Sequence, residues 1–118
     1  MKYVVCNTSE LRPGESRLFQ VKEKLSVLVL RTPENEFRAI YPRCPHQGAP
    51  LNCGELKFTT TGEEPGEYKI DYDHYMIHCP WHGFEFDTAS GRCRVDSERF
   101  RIRAYRTTVE NDQVVVEV

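Results

Sequence analysis

Two short segments hold the residues best suited to chemistry. CPHQGAPL, Cys44–Leu51, and CPWHGFEFD, Cys79–Asp87, each place one cysteine and one histidine in a loop punctuated by proline and glycine. The spacings are Cys44-x-His46 and Cys79-x-x-His82. Thiolate and imidazole are the strong protein ligands for borderline and soft metals. With one of each per loop, two loops brought together let the thiolates meet one metal and the imidazoles another. Gly48 and Gly83 would allow the backbone to approach an inorganic group closely, while Pro45 and Pro80 restrict the loops.

Two cysteines and two histidines are also a common structural zinc set. A zinc finger usually presents a cysteine pair and then a histidine pair on a helix. Here the two types alternate between loops, and Pro80 disfavours a helix beneath His82. His78 and His82 stand four apart, the separation of a helical metal pair, but Pro80 lies between them and YMIHC before them is strand-like. His78 is therefore expected to be an ordinary, half-exposed strand residue. Asp71, Asp73 and His74 could be read as an oxygen-rich metal site, and a solvated turn is the expectation. Cys6, Cys53 and Cys93 lack ligand-like neighbours and should behave as small buried hydrophobes, Cys53 and Cys93 packing near the loops they follow. Trp81, between two ligand positions, is expected to pack over the site, with a partner-facing surface as the alternative. No Ser/His/Asp arrangement, phosphate-cradling loop or dinucleotide fingerprint occurs.

The C-x-H…C-x-x-H pattern, with Gly48 two residues after His46 and Gly83 directly after His82, resembles the signature of the Rieske family. That resemblance implies one [2Fe–2S] cluster in which two histidines replace two cysteines on one iron. Cys44 and Cys79 would hold one iron, and His46 and His82 the other. It covers both loops, then Gly91-Arg92-Cys93 and the closing FRIRAYRTTVENDQVVVEV, while the N-terminal third matches only in being β-rich. Residues 47–78 make a longer gap between the loops than many small Rieske ferredoxins have. The polar stretch Lys57–Asp73 reads as a hairpin inserted there, an insertion that costs little in closure entropy. Many relatives cover the cluster with a Pro-rich segment after the glycine at position 91. CRVDSERFRIRAY contains no proline, and shielding is expected from Arg94–Phe100. High-potential relatives add a disulfide between the loops and two hydroxyl donors to the cluster sulfurs. The matching positions are Ala49 and Trp81, and Phe84 and Phe86, which implies a low potential.

The elements that must position these loops are short strands. Lys2–Cys6, Arg17–Val21, Ser26–Arg31 and Phe37–Tyr41 are expected strands; Pro13-Gly14 and the residues from Thr32 to Asn35 mark turns. Thr59–Glu67 reads as a hairpin tip, and Tyr68–Tyr72 and Tyr75–His78 as strands on either side of a turn around Asp73. Gly83–Asp87 alternates, with Phe84 and Phe86 on one face. Phe100–Val109 and Val114–Val118 flank Asn111-Asp112, which has hairpin-turn chemistry. Many short strands with evenly spaced turns predict an all-β fold. By resemblance it is an antiparallel sandwich, a single domain over 1–118, with a small subdomain built from loops 44–51 and 79–87 and the hairpin 57–73.

The 118 residues are 39% hydrophobic and 29% charged, with a formal net charge of −2 and no block of like charge, which argues against nucleic-acid binding. The longest apolar run, Val27–Leu30, is far short of a membrane span, and MKYVVCNTSELRPGE lacks a leader's apolar core. The expected compartment is the cytoplasm, where five cysteines suggest metal or redox chemistry rather than structural disulfides. The resemblance implies an electron-transfer protein rather than an enzyme, since a Rieske oxygenase subunit needs a second, catalytic domain. Its donor would be a flavin- or NAD-dependent reductase, its acceptor an oxygenase or another redox enzyme, with His46 and His82 as the electron's exit. Two alternatives stand beside it: a small subunit resembling that of assimilatory nitrite reductases, and a zinc-stabilised interaction module.

Overall fold

The computed structural model describes residues 1–45, 48–61, 66, 69–80, 84–94 and 100–118, with the side chains of residues 53, 60, 61, 69 and 73 outside that set. Nine strands appear among these residues: β1 (Lys2–Asn7), β2 (Ser16–Lys22), β3 (Leu25–Arg31), β4 (Phe37–Ile40), β5 (Leu56–Thr61), β6 (Lys69–His78), β7 (Glu85–Asp87), β8 (Ala104–Glu110) and β9 (Gln113–Glu117). One-turn 3₁₀ helices at Thr8–Glu10 and Leu51–Cys53 are the only helical elements described. The strands form a six-stranded antiparallel sheet in the order β1-β9-β8-β4-β3-β2 and a three-stranded sheet in the order β5-β6-β7.

β3 explains how one domain carries two apolar centres. Its run Val27-Leu28-Val29-Leu30 is fully buried on both faces. Side chains alternate across a strand, so Val27 and Val29 face one way and Leu28 and Leu30 the other. The valines join Leu11, Tyr105, Val114 and Val116 in the core of the large sheet. The leucines join Ile40, Ile77, Phe86 and three cysteines, Cys44, Cys79 and Cys93, in a second core. β3 is thus the wall shared by both. The β8–β9 hairpin closes through Asn111 (φ 51°) and Asp112 (φ 61°), the two left-handed residues that a twist-matched two-residue turn requires.

The small sheet departs from expectation in one place. Lys69–His78 is a single ten-residue strand, not two strands about a turn. Phe58 pairs with Tyr75 and the next residue, Thr59, with Asp71, so residues 72–74 bulge out of register. Tyr-Asp-His has the polarity of a turn, but pairing to β5 on both sides holds the chain extended, and the surplus residues become a bulge. β5 likewise runs through Thr61, into the stretch read as a hairpin tip. The strands of the 57–73 hairpin therefore form part of the small sheet itself.

Candidate metal centre

Both cysteine loops are closed in the same way. The Cys44 amide donates to the Ala49 carbonyl at 2.9 Å, and the Cys79 amide to the Phe84 carbonyl at 2.8 Å. In each case the cysteine N–H bonds five residues ahead, which closes the base of an arch; the loop's histidine lies between those two residues in sequence. The first arch is tightened by the Gly48 amide donating to the Cys44 carbonyl at 2.8 Å and by the Arg43 guanidinium donating to the Gly48 carbonyl at 3.2 Å. A bridge between Arg43 and Pro50 ties its base. Gly48 has φ +72°, a left-handed backbone that glycine adopts without steric cost.

The arches are also docked against each other. The 3₁₀ turn Leu51–Cys53 ends at Gly54, where a Cβ would collide with the carbonyl of His78, the residue before Cys79. The His78 amide donates to the Glu55 carbonyl at 2.8 Å. A glycine at 54 therefore sets how closely the first arch approaches the second. Cys44 (1% exposed) and Cys79 (2% exposed) end in one apolar core, with Leu51, Ile77 and Phe86 around them. A buried pair of thiols on matched arches suits a metal group that binds thiolates in a dry site.

Of the four residues singled out as ligands, the structure brings together Cys44 and Cys79. His46 and His82 lie outside the described residues, as do Trp81 and Gly83. Among the described residues no group of three or more His, Cys, Asp or Glu gathers around a common point. Cys93 packs with Cys44 and Cys79, as its sequence position suggested; the Cys53 side chain is outside the described set. Phe86 is fully buried and Phe84 partly so, and Phe84 stacks on Phe100 with centroids 5.6 Å apart. Phe100 thus packs against the second arch; residues 95–99 of the stretch expected to shield the site lie outside the described residues.

His78 is a strand residue, though more enclosed than expected, with 16% of its side chain exposed. Burial lowers its pKa, opposed by the Glu85 carboxylate, whose Oε1 lies 3.3 Å from Nε2 without making a hydrogen bond. Glu85 and Arg94 pair at 3.1 Å, and Thr59 links to both: its hydroxyl donates to Glu85 and accepts from Arg94. His74 meets Asp87 at 2.7 Å and Asp71 at 3.8 Å. Sequence reasoning passed over Gly54 and Glu85, and named Thr59 and Arg94 only as the first residues of longer stretches. Only the glycine left a local signal, and the others meet through strand pairing between distant segments.

A family model for the Rieske [2Fe-2S] domain matches residues 1–106. The chain belongs to the Rieske family. A Rieske-type [2Fe–2S] cluster is accordingly its cofactor, and the two buried cysteines on matched arches fit it. Apoptosis-inducing factor 3 of Mus musculus is 27% identical over 95% of this chain, which spans only 16% of that relative's length. Among solved structures, a protein described as the small subunit of an NADH-dependent nitrite reductase from Mycobacterium tuberculosis is similar with a TM-score of 0.78. It is 20% identical, with 100% of this Rieske chain and 96% of that chain covered. The ferredoxin of carbazole 1,9a-dioxygenase from Nocardioides aromaticivorans IC177 has a TM-score of 0.73 and 24% identity, over 98% and 96% of the two chains. No helix among the described residues is long and apolar enough to cross a membrane.

Proposed function

We propose that this Rieske domain is a low-potential one-electron carrier working in the cytoplasm between a nicotinamide-linked reductase and an oxygenase or other redox enzyme. Cys44 and Cys79 hold one iron of the cluster and His46 and His82 the other, and the bound cluster accepts and releases a single electron. The observation that carries this reading is the pair of matched arches with both cysteines in one dry core. The protein's own part is to bind, to exclude water and to hold the arches at fixed separation through Gly54. Similarity to a dioxygenase ferredoxin over nearly all of both chains supports an oxygenase as acceptor.

Anaerobic purification tests the proposal directly. The expected protein is red-brown with an anisotropic EPR signal after reduction, and is oxidised by a Rieske oxygenase in stopped-flow mixing. Alanine at Cys44, His46, Cys79 or His82 should abolish the spectrum. A colourless zinc protein would refute the reading, and a variant that kept the native EPR signal would remove its residue from the ligand set. Similarity to the nitrite reductase small subunit favours a second reading, a fixed subunit of a larger oxidoreductase. Stable co-purification with a large catalytic chain would distinguish it from a shuttling carrier.

A further inference from the structure

The outer face of the small sheet carries charge that the described residues do not neutralise. Phe86 and Cys93 face one another across a bridge and point into the core. Side-chain alternation turns their neighbours Asp87 and Arg92 outward. Arg92 pairs in turn with Arg101, so two arginines occupy facing positions of an antiparallel bridge, both exposed. Like charges at facing positions of an antiparallel pair repel. Among the described residues Asp87 is the acid beside them, since its amide bonds to the Arg92 carbonyl. Its carboxylate is committed elsewhere: it meets His74 at 2.7 Å and accepts from the Ala89 and Ser90 amides at 2.8 and 3.3 Å. Among the described residues neither Arg92 nor Arg101 has an ion pair.

These side chains line a concave groove of about 810 Å³. Its charged lining is Arg92, Arg94 and Arg101 together with Asp71, His74 and Asp87. Cys93 also lines the groove and packs with Cys44 and Cys79 behind it. We propose that this groove docks an acidic segment of a protein electron partner, its carboxylates engaging the Arg92–Arg101 pair. Guanidinium groups suit carboxylates because their planar forks bind them in a bidentate manner. The facing Arg92 and Arg101, without an ion pair among the described residues on a chain of net charge −2, select for a complementary acidic surface on a partner protein. The identity of the occupant rests on the carrier reading above; the existence of the groove does not.

The probe is a fluorescent hexaglutamate peptide titrated into the holoprotein by anisotropy, with hexaglutamine as reference. Hexaglutamate should bind, weaken as salt rises, and lose about tenfold in affinity in the Arg92→Gln/Arg101→Gln double variant. The double variant should keep its iron and EPR signal, and its melting temperature should rise because the facing charges are gone. Arg12→Gln/Arg106→Gln, two exposed arginines elsewhere, should bind as the wild type does. An equal loss in that control, or a lower melting temperature in the first variant, would overturn the proposal. So would inorganic phosphate or citrate displacing the peptide by tighter binding, which would make the groove a small-anion site. A colourless native protein would sink the carrier reading while leaving peptide binding intact.

Discussion

At the scale of single residues, the cysteines divide by their surroundings. Cys44 and Cys79 are buried at the bases of hydrogen-bonded arches, whereas Cys6 is buried in the other core, beside the register shift in β1. Burial, helped by the Glu10 carboxylate and opposed by Arg17, pushes the Cys6 thiol up to about 11 from 9.0. A raised thiol pKa means that the folded state holds the proton longer than the unfolded state. Its stabilising contribution is whole below pH 9 and fades as pH climbs through 11. The same shift leaves about a hundredfold less thiolate near neutral pH than an exposed cysteine has. Peptide-mapped alkylation of the holoprotein should find Cys6 the slowly modified thiol, inert until denaturant is added; rapid labelling at pH 8 would contradict its placement. Phe84 and Phe86 bear on the potential. Phenyl rings at both positions offer no hydroxyl to the cluster sulfurs, and such hydrogen bonds favour the reduced cluster. An EPR-monitored titration should put the midpoint near the low end of the about −150 to +300 mV span of Rieske centres. Phe84→Ser should raise it. That partly buried site is the better probe, because Phe86→Tyr would bury a hydroxyl where an unmet one costs about 1–3 kcal/mol. A wild-type midpoint above roughly +100 mV would end the low-potential reading.

At the scale of elements, the strands written in simple alternation or in continuous apolar runs were legible, and those shaped by pairing were not. Val27–Leu30 could be read as a strand because it is apolar on both faces, and Asn111-Asp112 as a hairpin because few other residues adopt left-handed backbone. The two arches were legible because Cys, His, Pro and Gly all had to be local. β5 and the bulge in β6 were not, since Thr59–Thr61 looks like loop and Tyr72–His74 like turn until each has a partner strand. Nor could sequence show that Arg92 faces Arg101, because their pairing is a product of the fold. The hairpin follows the same division. Its tip beyond Thr61 should be dispensable, as polar connections usually are. Thr59 is buried and bonded to Glu85 and Arg94, so the hairpin cannot be cut back that far without loss. Replacing residues 62–68 by a Gly-containing turn should leave iron content unchanged and stability within about 1 kcal/mol. Extending the cut to Thr59 should cost about 1–3 kcal/mol in urea unfolding and lower iron retention. Loss of iron from the shorter cut alone would make the tip part of the cluster site.

At the scale of the whole molecule, the two cores predict how it responds when the metal is removed. Cys44, Cys79 and Cys93 belong to the core behind the small sheet, while the β1-β9-β8 side packs around Val114, Val116 and Tyr105 with Cys6 its one thiol among the described residues. Cluster binding contributes to folding where its ligands lie, as structural metals do. Removing the cluster would take that support from the core that holds Cys44 and Cys79, and the small sheet has three strands against the large sheet's six. The large sheet keeps its six-stranded ladder. Local opening follows local stability, so the two halves should part company. Hydrogen exchange on anaerobically prepared apoprotein should show β5, β6, β7 and both arches losing protection first, and β1, β8 and β9 keeping most of theirs. β3 is the informative element. Its amides pair with β2 and β4, but its leucines lie in the core that loses the cluster and its valines in the core that does not. Its protection should fall between the two groups. If β8 and β9 exchanged as fast as β6 in the apoprotein, the cores would be one cooperative unit. β3 would then transmit the loss of the cluster across the domain instead of containing it.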